Sequence, residues 1–352
     1  MHVEDLDTPS VIIHLDRLEA NIERVQAMVD ARGIANRPHI KTHKIPAIGK
    51  MQMDAGAIGL TCQKLGEVEA FVAAGVCDDI LLSFNIVGDR KTERLMELSA
   101  SVGRLAVVAD NETVIDGLSE AGRRHSRDIP LLIECDTGFG RNGATTPERV
   151  LELARYATAK PRIRIEGIMT FPNTSPGTNA FVERSLELLR QSGIPVPIVS
   201  GGGTPALLTM AEFPLMTEHR AGTYVFNDVM MIAAGFARLE QCAMHVRTTI
   251  VSTPTPDRAI VDAGSKVLTH ERYYVENFGV VVEYPDAVVA RLSEEHGVLD
   301  FSRSAKKPRV GEVVNIIPNH CCVVSNMVDE VFGVRDGVVE VEWPVAARGA
   351  SK

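Results

Sequence analysis

The feature that most constrains this chain is a repeated alternation of short β-rich runs with longer helical stretches. From about residue 37 to about residue 226 the strand-like runs are RPHIK, AIGLTC, DILLSF, RLAVVAD, PLLIECD, RIEGIMTF, VPIVSG and EHRAGTYVF. The segments between them, such as NETVIDGLSEAGRRH, place apolar residues three and four positions apart, as amphipathic helices do. Eight such units predict a (β/α)8 TIM-type barrel. A doubly wound sheet is the alternative, but this chain lacks the glycine-rich first turn typical of that fold.

The remainder of the chain has the pattern of a β-rich domain. After about residue 245 the runs HVRTTIVS, RAIVDAG, FGVVVEY, GEVVNIIP and EVFGVRDGVVEVEW are strand-like, and Asp336-Gly337 predicts a hairpin turn. The early run SVIIHLD is expected to join this part. We therefore predict an α/β barrel over 17–242 and a C-terminal mainly-β domain formed by 243–352 together with 1–16.

Composition limits the cellular compartment and the classes of partner that fit this chain. The net charge of −9 disfavours a nucleic acid or an anionic membrane as partner. The acidic start MHVEDLDTPS does not resemble a signal peptide, and no apolar run is long enough to span a membrane. Six cysteines scattered over 352 residues do not form a disulfide framework. These features predict a cytoplasmic protein.

The segment SGGGTP follows the seventh predicted strand. Loops after strands seven and eight of such barrels commonly bind phosphate. Consecutive glycines let backbone N–H groups approach an anion, and the N-terminus of a following helix would add a favourable dipole. The alternative is that the glycines only shape a tight turn, but their position favours phosphate.

A second segment, RPHIKTHKIPAIGK, offers a lysine at a strand end. A phosphate cradle and a strand-end lysine together suggest pyridoxal 5′-phosphate (PLP), which needs a lysine amine for its Schiff base. Because side chains alternate along a strand, Arg37, His39 and Lys41 would share one face. Lys44 would lie past the strand end and be exposed. Lys41 is therefore the candidate, with a surface lysine as the alternative.

An arginine in the segment ECDTGFGRNG is a candidate for binding an anionic group. Arg141 follows the fifth predicted strand in a glycine-flanked loop, from which it could reach inward. Its guanidinium would suit the ring oxygen of the cofactor or a substrate carboxylate. A surface arginine explains the pattern equally well.

The segment IPNHCCVVSN carries possible metal ligands. On a strand, His320 and Cys322 would point to the same face, and imidazole and thiolate are good ligands for zinc. Cys321 would face the other way and pack. A buried histidine beside two inert cysteines is the alternative.

Taken together, RPHIKTHK, DTGFGRNG, SGGGTP, RAGTYVFND, EEHG and PNHCC resemble the D-threonine aldolase and D-serine dehydratase family, relatives of alanine racemase with the fold-type III architecture. The resemblance covers nearly the whole chain in order. It implies a (β/α)8 barrel that binds PLP, a β-rich domain that completes the site, and a homodimer. It also implies a divalent metal, zinc or manganese, that holds the β-hydroxyl of a D-amino acid substrate.

The resemblance also assigns roles to individual residues. It makes Lys41 the Schiff-base lysine and places Arg141 near the ring oxygen of the cofactor. Arg220 matches an arginine that faces the pyridine nitrogen in alanine racemase. The positions matching the phosphate site are Gly202, Gly203, Thr204 and Tyr224. The positions matching the metal ligands are His320 and Cys322.

The implied activity is that of a lyase on D-3-hydroxy-α-amino acids, foremost retro-aldol cleavage of D-threonine-type substrates to glycine and an aldehyde. A dehydratase of D-serine or 3-hydroxy-D-aspartate, giving a 2-oxo acid and ammonia, stays open. So do an amino-acid racemase and a non-catalytic PLP-binding protein. The His-x-Cys pair leans toward dehydratases, whereas CQKLGE, TPDRAIVDAGSK and VRDGVVE look more like aldolases. MTFPNTSPG lacks the histidine that the family often has after the sixth strand, so the base for the β-hydroxyl is unassigned.

Overall fold

The computed structural model describes residues 1–173 and 177–352, and the chain divides into two compact units. The barrel unit consists of Val25–Lys41, Pro46–Gly222 and Ala350–Lys352. The β unit consists of Met1–Arg24, Thr42–Ile45 and Thr223–Gly349. The domain limits predicted above, 17–242 against the rest, stay a prediction. The chain begins with strand β1 (Ser10–His14) and helix α1 (Leu15–Asp30).

Within the described residues of the barrel unit, eight parallel strands form one sheet. They are β2 (Ala35–Asn36), β3 (Leu60–Cys62), β4 (Asp79–Leu82), β5 (Arg104–Ala109), β6 (Ile129–Asp136), β7 (Ile163–Phe171), β8 (Ile198–Gly201) and β9 (Glu218–His219). Their hydrogen-bonded order is β2-β9-β8-β7-β6-β5-β4-β3. A bridge between His39 and Thr61 links the segment after β2 to β3 and so closes the curled sheet. The predicted barrel is confirmed.

Helices alternate with these strands and cover them. They are α2 (Pro46–Asp54), α3 (Leu65–Ala73), α4 (Asp89–Ser99), α5 (Glu112–Arg124), α6 (Pro147–Thr158) and α7 (Gly177–Gln191). Leu118 of α5 and Leu153 of α6 are fully buried in the same core as Val107 of β5. Because both faces of the sheet are covered, its strands are continuous apolar runs. Among the described helices, none is both long and apolar enough to cross a bilayer.

The β unit is built on a nine-stranded sheet, as counted over the described residues. Its further elements are α8 (Val229–Ala233), β10 (Met244–Thr255), β11 (Arg258–Val261), α9 (Ser265–Leu268), β12 (Gly279–Val281), β13 (Val288–Leu292), β14 (Gly297–Asp300), β15 (Val313–Pro318), α10 (Cys321–Met327), β16 (Glu330–Arg335) and β17 (Val338–Pro344). As expected, β1 joins this sheet, between β10 and β16. Asp336 and Gly337 both have positive φ, as the predicted hairpin turn requires.

The first barrel strand lies before the segment RPHIK and not within it. The strand ends at Asn36, His39 keeps a single bridge, and Ile40–Thr42 forms a 3-10 turn, so Lys41 is not on a strand. Lys41 is exposed, whereas Lys44 is buried and its Nζ donates to Asn326 Oδ1 at 2.8 Å. The prediction that Lys44 would be exposed is wrong, because the turn ends the extended backbone on which it depended.

One arginine inside the barrel unit is the basis of a stability prediction. The Arg37 side chain is 3% exposed, and its Nε lies 2.9 Å from Glu218 Oε2, itself 5% exposed, while Nη1 lies 2.8 Å from Asp79. Arg37→Met would leave the Glu218 carboxylate buried without its partner. We expect the free energy of unfolding, measured in urea, to fall by about 3–5 kcal/mol. Arg123→Ala, which breaks only the exposed pair with Glu120, should leave it unchanged. Equal stability of the two variants would contradict this.

Candidate functional site

In the barrel unit, polar side chains gather at the carboxyl ends of the strands, where such barrels carry their sites. Arg220 follows β9 and is buried. Its guanidinium donates to Ser200 Oγ at 2.9 Å and to the Thr170 carbonyl at 3.1 Å. Burial lowers the pKa of Arg220 to about 10, against the opposing charges of Glu218 and Glu134. Arg220 is thus a fixed, buried cation at neutral pH.

Glu134, near the end of β6, is a buried carboxyl group that sequence reasoning did not single out. It is 2% exposed, and its Oε2 has no hydrogen-bond partner among the described residues. Burial and then the charge of Asp110 raise the pKa of Glu134 to about 7, although Arg141 and Arg220 oppose this. A buried polar atom without a partner is costly, so the position fits a polar ligand.

The loop after β6 carries Arg141 and is ordered by one carboxylate. Asp136 accepts the backbone N–H groups of residues 138–141 at 2.7–3.1 Å. Burial alone would raise the pKa of Asp136, but these hydrogen bonds hold it below its usual value. The Arg141 guanidinium lies 5.1 Å from the ring centre of Phe171 and 5.4 Å from that of Phe139. The side chain is exposed, so this cation is accessible to an anionic group.

The triple glycine follows β8, as predicted. Gly202 has φ +84°, and its N–H donates to Asn173 Oδ1 at 2.7 Å. A Cβ built at Gly203 would meet only a ring atom of Phe171, at 3.9 Å, so space is open beside it. The segment after the glycines, Pro205–Leu207, forms a three-residue 3-10 turn and not an α-helix. A phosphate here would therefore depend on backbone N–H groups and Thr204 rather than on a helix dipole.

His219 packs behind this loop. It is fully buried, and within the described chain neither ring nitrogen has a hydrogen-bond partner. Burial and then the charge of Arg220 lower the pKa of His219 to about 3, so the ring is neutral. A Cβ built at Gly202 would lie 2.2 Å from its Nε2. The imidazole and the glycine loop therefore fit only without a side chain at Gly202.

We predict that Gly202→Ala lowers the free energy of unfolding of the cofactor-free protein by about 2 kcal/mol or more. The new methyl group would meet the His219 ring in a backbone conformation that L-residues rarely adopt. Urea denaturation checks this. Gly203→Ala is the matched control, since its site is open and its φ is not in the left-handed region. Unchanged stability of Gly202→Ala would show that the loop relaxes freely.

PLP fits the barrel unit on these observations. Gly203 borders open space beside the loop, Glu134 presents an unpartnered oxygen, and Arg220 and Arg141 supply cations. Lys41 supplies an exposed amine in the same unit. These are the groups that hold a phosphorylated, lysine-linked cofactor. Tyr224 lies fully buried in the β unit, and its predicted phosphate contact stays a prediction.

In the β unit, His320 and Cys322 lie together but not on a strand. His320 precedes α10 and Cys322 is its second residue, so the expected strand alternation is wrong. Their side chains nevertheless interact, since the charge of Cys322 acts on the His320 imidazole. Cys322 Sγ lies 3.3 Å from Thr42 Oγ1, and His320 Nδ1 contacts the Glu271 carboxylate. Cys321 is fully buried, as expected of a packing residue.

Electrostatics favour a charged His320–Cys322 pair. Burial alone would lower the pKa of His320, but the Cys322 thiolate and the bonds to Cys322 and Glu271 raise it to about 10. Its hydrogen bond to Cys321, and then the charge of His320, hold the pKa of Cys322 well below its usual value against burial. A thiolate is the form that binds metals. Among the described residues, no group of three or more His, Cys, Asp and Glu side chains is placed to hold a metal ion.

Asp228 and Glu271 are further polar residues that sequence reasoning missed. The buried Asp228 carboxylate accepts the N–H groups of Met231 at 2.9 Å and Cys321 at 3.1 Å, and so anchors the segment with the two ligands. Burial and then the charge of Cys322 raise the pKa of Asp228 to about 7. The only signal for Asp228 in the sequence is an aspartate just before a helix.

The segment MTFPNTSPG is only partly described. Phe171 ends β7, and Asn173 bonds to Gly202, so this stretch supports the glycine loop. Residues 174–176 lie outside the described residues. The base for the β-hydroxyl, which the family often supplies here as a histidine, stays unassigned.

Two family models match the chain: "Alanine racemase, N-terminal domain" over residues 13–229 and "Putative serine dehydratase domain" over residues 243–334. A D-threonine aldolase of Arthrobacter sp. is 35% identical, with 99% of this chain and 94% of that protein covered. The chain belongs to the D-threonine aldolase and D-serine dehydratase family. The named members are aldolases and dehydratases, and the family is one of PLP-dependent lyases with fold-type III architecture.

Solved structures of this family agree over the whole chain. The D-threonine aldolase of Filomicrobium marinum superposes with a TM-score of 0.89 at 30% identity, covering 99% of this chain and 97% of that one. For the D-threo-3-hydroxyaspartate dehydratase of Delftia sp. HT23 the TM-score is 0.87 at 29% identity, with 97% and 98% covered. Variants of that dehydratase with a histidine or a cysteine replaced by alanine are also known, the latter in a metal-free form.

Proposed function

We propose that this chain is a PLP- and divalent-metal-dependent lyase that cleaves Cα–Cβ of D-3-hydroxy-α-amino acids of the D-threonine type, giving glycine and an aldehyde. The observation that carries the proposal is that His320 and Cys322 lie side by side at the start of α10, with interacting charges, in a chain whose barrel unit fits PLP. Neither a racemase nor a non-catalytic PLP-binding protein has a use for two metal ligands. The 35% identity to a D-threonine aldolase favours the aldol reaction.

The candidate residues would hold different parts of the cofactor. Lys41 would attach it covalently through its ε-amine, and Gly202, Gly203, Thr204 and Tyr224 would hold its phosphate. Arg141 would neutralise its ring oxygen, and Arg220 would face its ring nitrogen. When bound, PLP supplies an electron sink for the electron pair left at Cα. Lys41, released from the cofactor by the substrate amine, is then a base or acid able to move a proton at Cα.

The metal, zinc or manganese, would be held by His320 and Cys322. A divalent ion supplies a Lewis acid that lowers the pKa of a bound hydroxyl. In the Delftia dehydratase the replaced histidine and cysteine are two positions apart, the spacing of His320 and Cys322 in this chain. That correspondence supports the ligand assignment.

Dehydration to a 2-oxo acid and ammonia is the second candidate, and one observation favours it. The second ligand position of this chain is Cys322, and a cysteine at the same spacing occurs in the Delftia dehydratase. In that reaction Lys41 would remove the α-proton and the β-hydroxyl would leave.

We further propose that the protein is cytoplasmic and works as a homodimer. Size exclusion coupled to light scattering would test the homodimer.

One assay separates these functions. The PLP-loaded protein is incubated with D-threonine and Mn²⁺ or Zn²⁺, and the products are identified. Glycine with acetaldehyde is the expected result, whereas 2-oxobutanoate with ammonia would establish the dehydratase instead. Epimerised threonine alone would indicate a racemase. A protein that binds PLP and converts none of D-threonine, D-serine or 3-hydroxy-D-aspartate would overturn the lyase proposal.

A further inference from the structure

The loop between α9 and β12 touches the candidate metal ligand His320. Glu271 places a carboxylate oxygen on His320 Nδ1, and Tyr273 sets its ring edge-on to the imidazole with centroids 5.9 Å apart. All of these residues belong to the β unit. Nothing in the segment HERYYVENFG marks Glu271 as functional, so this contact appears only in the folded chain.

The backbone of Glu271 is fixed from the side of His320 as well. Asn319, which precedes His320 and is 1% exposed, donates from Nδ2 to the carbonyl of Glu271 at 3.2 Å and to that of Asn277 at 2.6 Å. The Glu271 N–H donates to Thr269 Oγ1 at 3.2 Å. The backbone that carries this carboxylate is thus fixed relative to the segment that carries the imidazole.

This arrangement decides which ring nitrogen is available. Nδ1 is occupied by Glu271, so Nε2 is the nitrogen left to share an ion with the neighbouring Cys322 Sγ. A histidine that binds a metal commonly donates its other N–H to a carboxylate, which fixes the ring and strengthens the ligand. We propose that Glu271 is the positioning residue that presents His320 Nε2, together with Cys322 Sγ, to the divalent metal. This inference rests on the metal site of the proposed function.

The test measures metal affinity rather than turnover. Wild type, Glu271→Ala and Glu271→Gln, all loaded with PLP and stripped of metal, are titrated with Zn²⁺ against a chromogenic chelator. We expect Glu271→Ala to bind Zn²⁺ about 10- to 100-fold more weakly. Glu271→Gln, whose amide oxygen can still accept the Nδ1–H, should fall between Glu271→Ala and wild type. Glu276→Gln is the matched control, an exposed carboxylate in the same loop, and should bind like wild type.

Two further readouts separate positioning from general damage. Thermal unfolding of the metal-free proteins shows whether a variant is folded. The cobalt-substituted forms should keep the thiolate charge-transfer band of Cys322 while the cobalt affinity drops. Equal Zn²⁺ affinity of wild type and Glu271→Ala would overturn the role of Glu271 while leaving the metal site in place. If wild type bound no metal, or if His320→Ala bound it as tightly as wild type does, both the role of Glu271 and the proposed metal site would be overturned.

Discussion

Replacing Lys41 by alanine is expected to abolish the visible absorbance band of the bound cofactor and to reduce lyase activity by about 10³-fold or more. The variant loses the covalent attachment point and, with it, a proton-transferring group of the kind that contributes about 10²- to 10⁴-fold. Lys41 is exposed in the barrel unit, so the cofactor-free variant should remain folded. Absorbance spectra and product formation from D-threonine are the measurements.

Lys44→Ala is the matched control, since both lysines lie within one short segment. Lys44 Nζ donates to Asn326 Oδ1, so its loss should lower the melting temperature. The variant should nevertheless retain the cofactor band. If Lys44→Ala lost the band and Lys41→Ala kept it, the assignment of the cofactor lysine would be reversed.

Replacing a metal ligand is the second large effect. His320→Ala and Cys322→Ala should each lose the bound metal, and activity should drop by about 10³-fold, because Lewis-acid stabilisation of a developing alkoxide is worth several kcal/mol. Dialysis against a chelator should inactivate wild type to the same extent, and added Mn²⁺ or Zn²⁺ should restore wild type only. Metal content by mass spectrometry and initial rates check this.

The adjacent cysteine provides the control for that experiment. Cys321 is fully buried beside the same helix start, and it does not belong to the predicted ligand pair. Cys321→Ala removes a group that lowers the pKa of Cys322 but neither ligand, so the variant should keep the metal, with a weaker affinity and some loss of stability from the vacated volume. Metal retention in Cys322→Ala together with metal loss in Cys321→Ala would exchange their roles.

The barrel could be predicted because its signal is local. Buried parallel strands are continuous apolar runs, such as RLAVVAD, and they alternate with helices of regular period. Each element can therefore be recognised from its own residues. β13 and β14 were missed, since strands of four or five residues, such as VVARL, carry too little periodic pattern to be recognised. The hairpin at Asp336-Gly337 was predicted correctly because the turn type depends on just two residues.

For the candidate site, only residues within recognisable motifs could be singled out from the sequence. Lys41, Gly203, His320 and Cys322 were singled out from motifs, yet two arguments from strand alternation were wrong, because turns and helix starts replace extended backbone at both places. Glu134, Asp228 and Glu271 were missed for a different reason. Asp228 and Glu271 contact residues distant in the chain, and no local pattern encodes such a pairing. Glu134 lies in an apolar strand, where its burial becomes visible only in the folded chain.

Asp228 accepts hydrogen bonds at the starts of two helices, α8 and α10, so metal binding at one should affect the folding of the other. One carboxylate holds the first turn of the five-residue α8 and, 93 positions later in the chain, the first N–H of α10. If α8 frays, that acceptor is no longer held in place, and the start of α10 loses an anchor next to His320 and Cys322. By linkage, an ion that binds only the ordered state must stabilise α8 in return. Amide protons of Met231 and Cys321 should therefore exchange more slowly when the metal is bound.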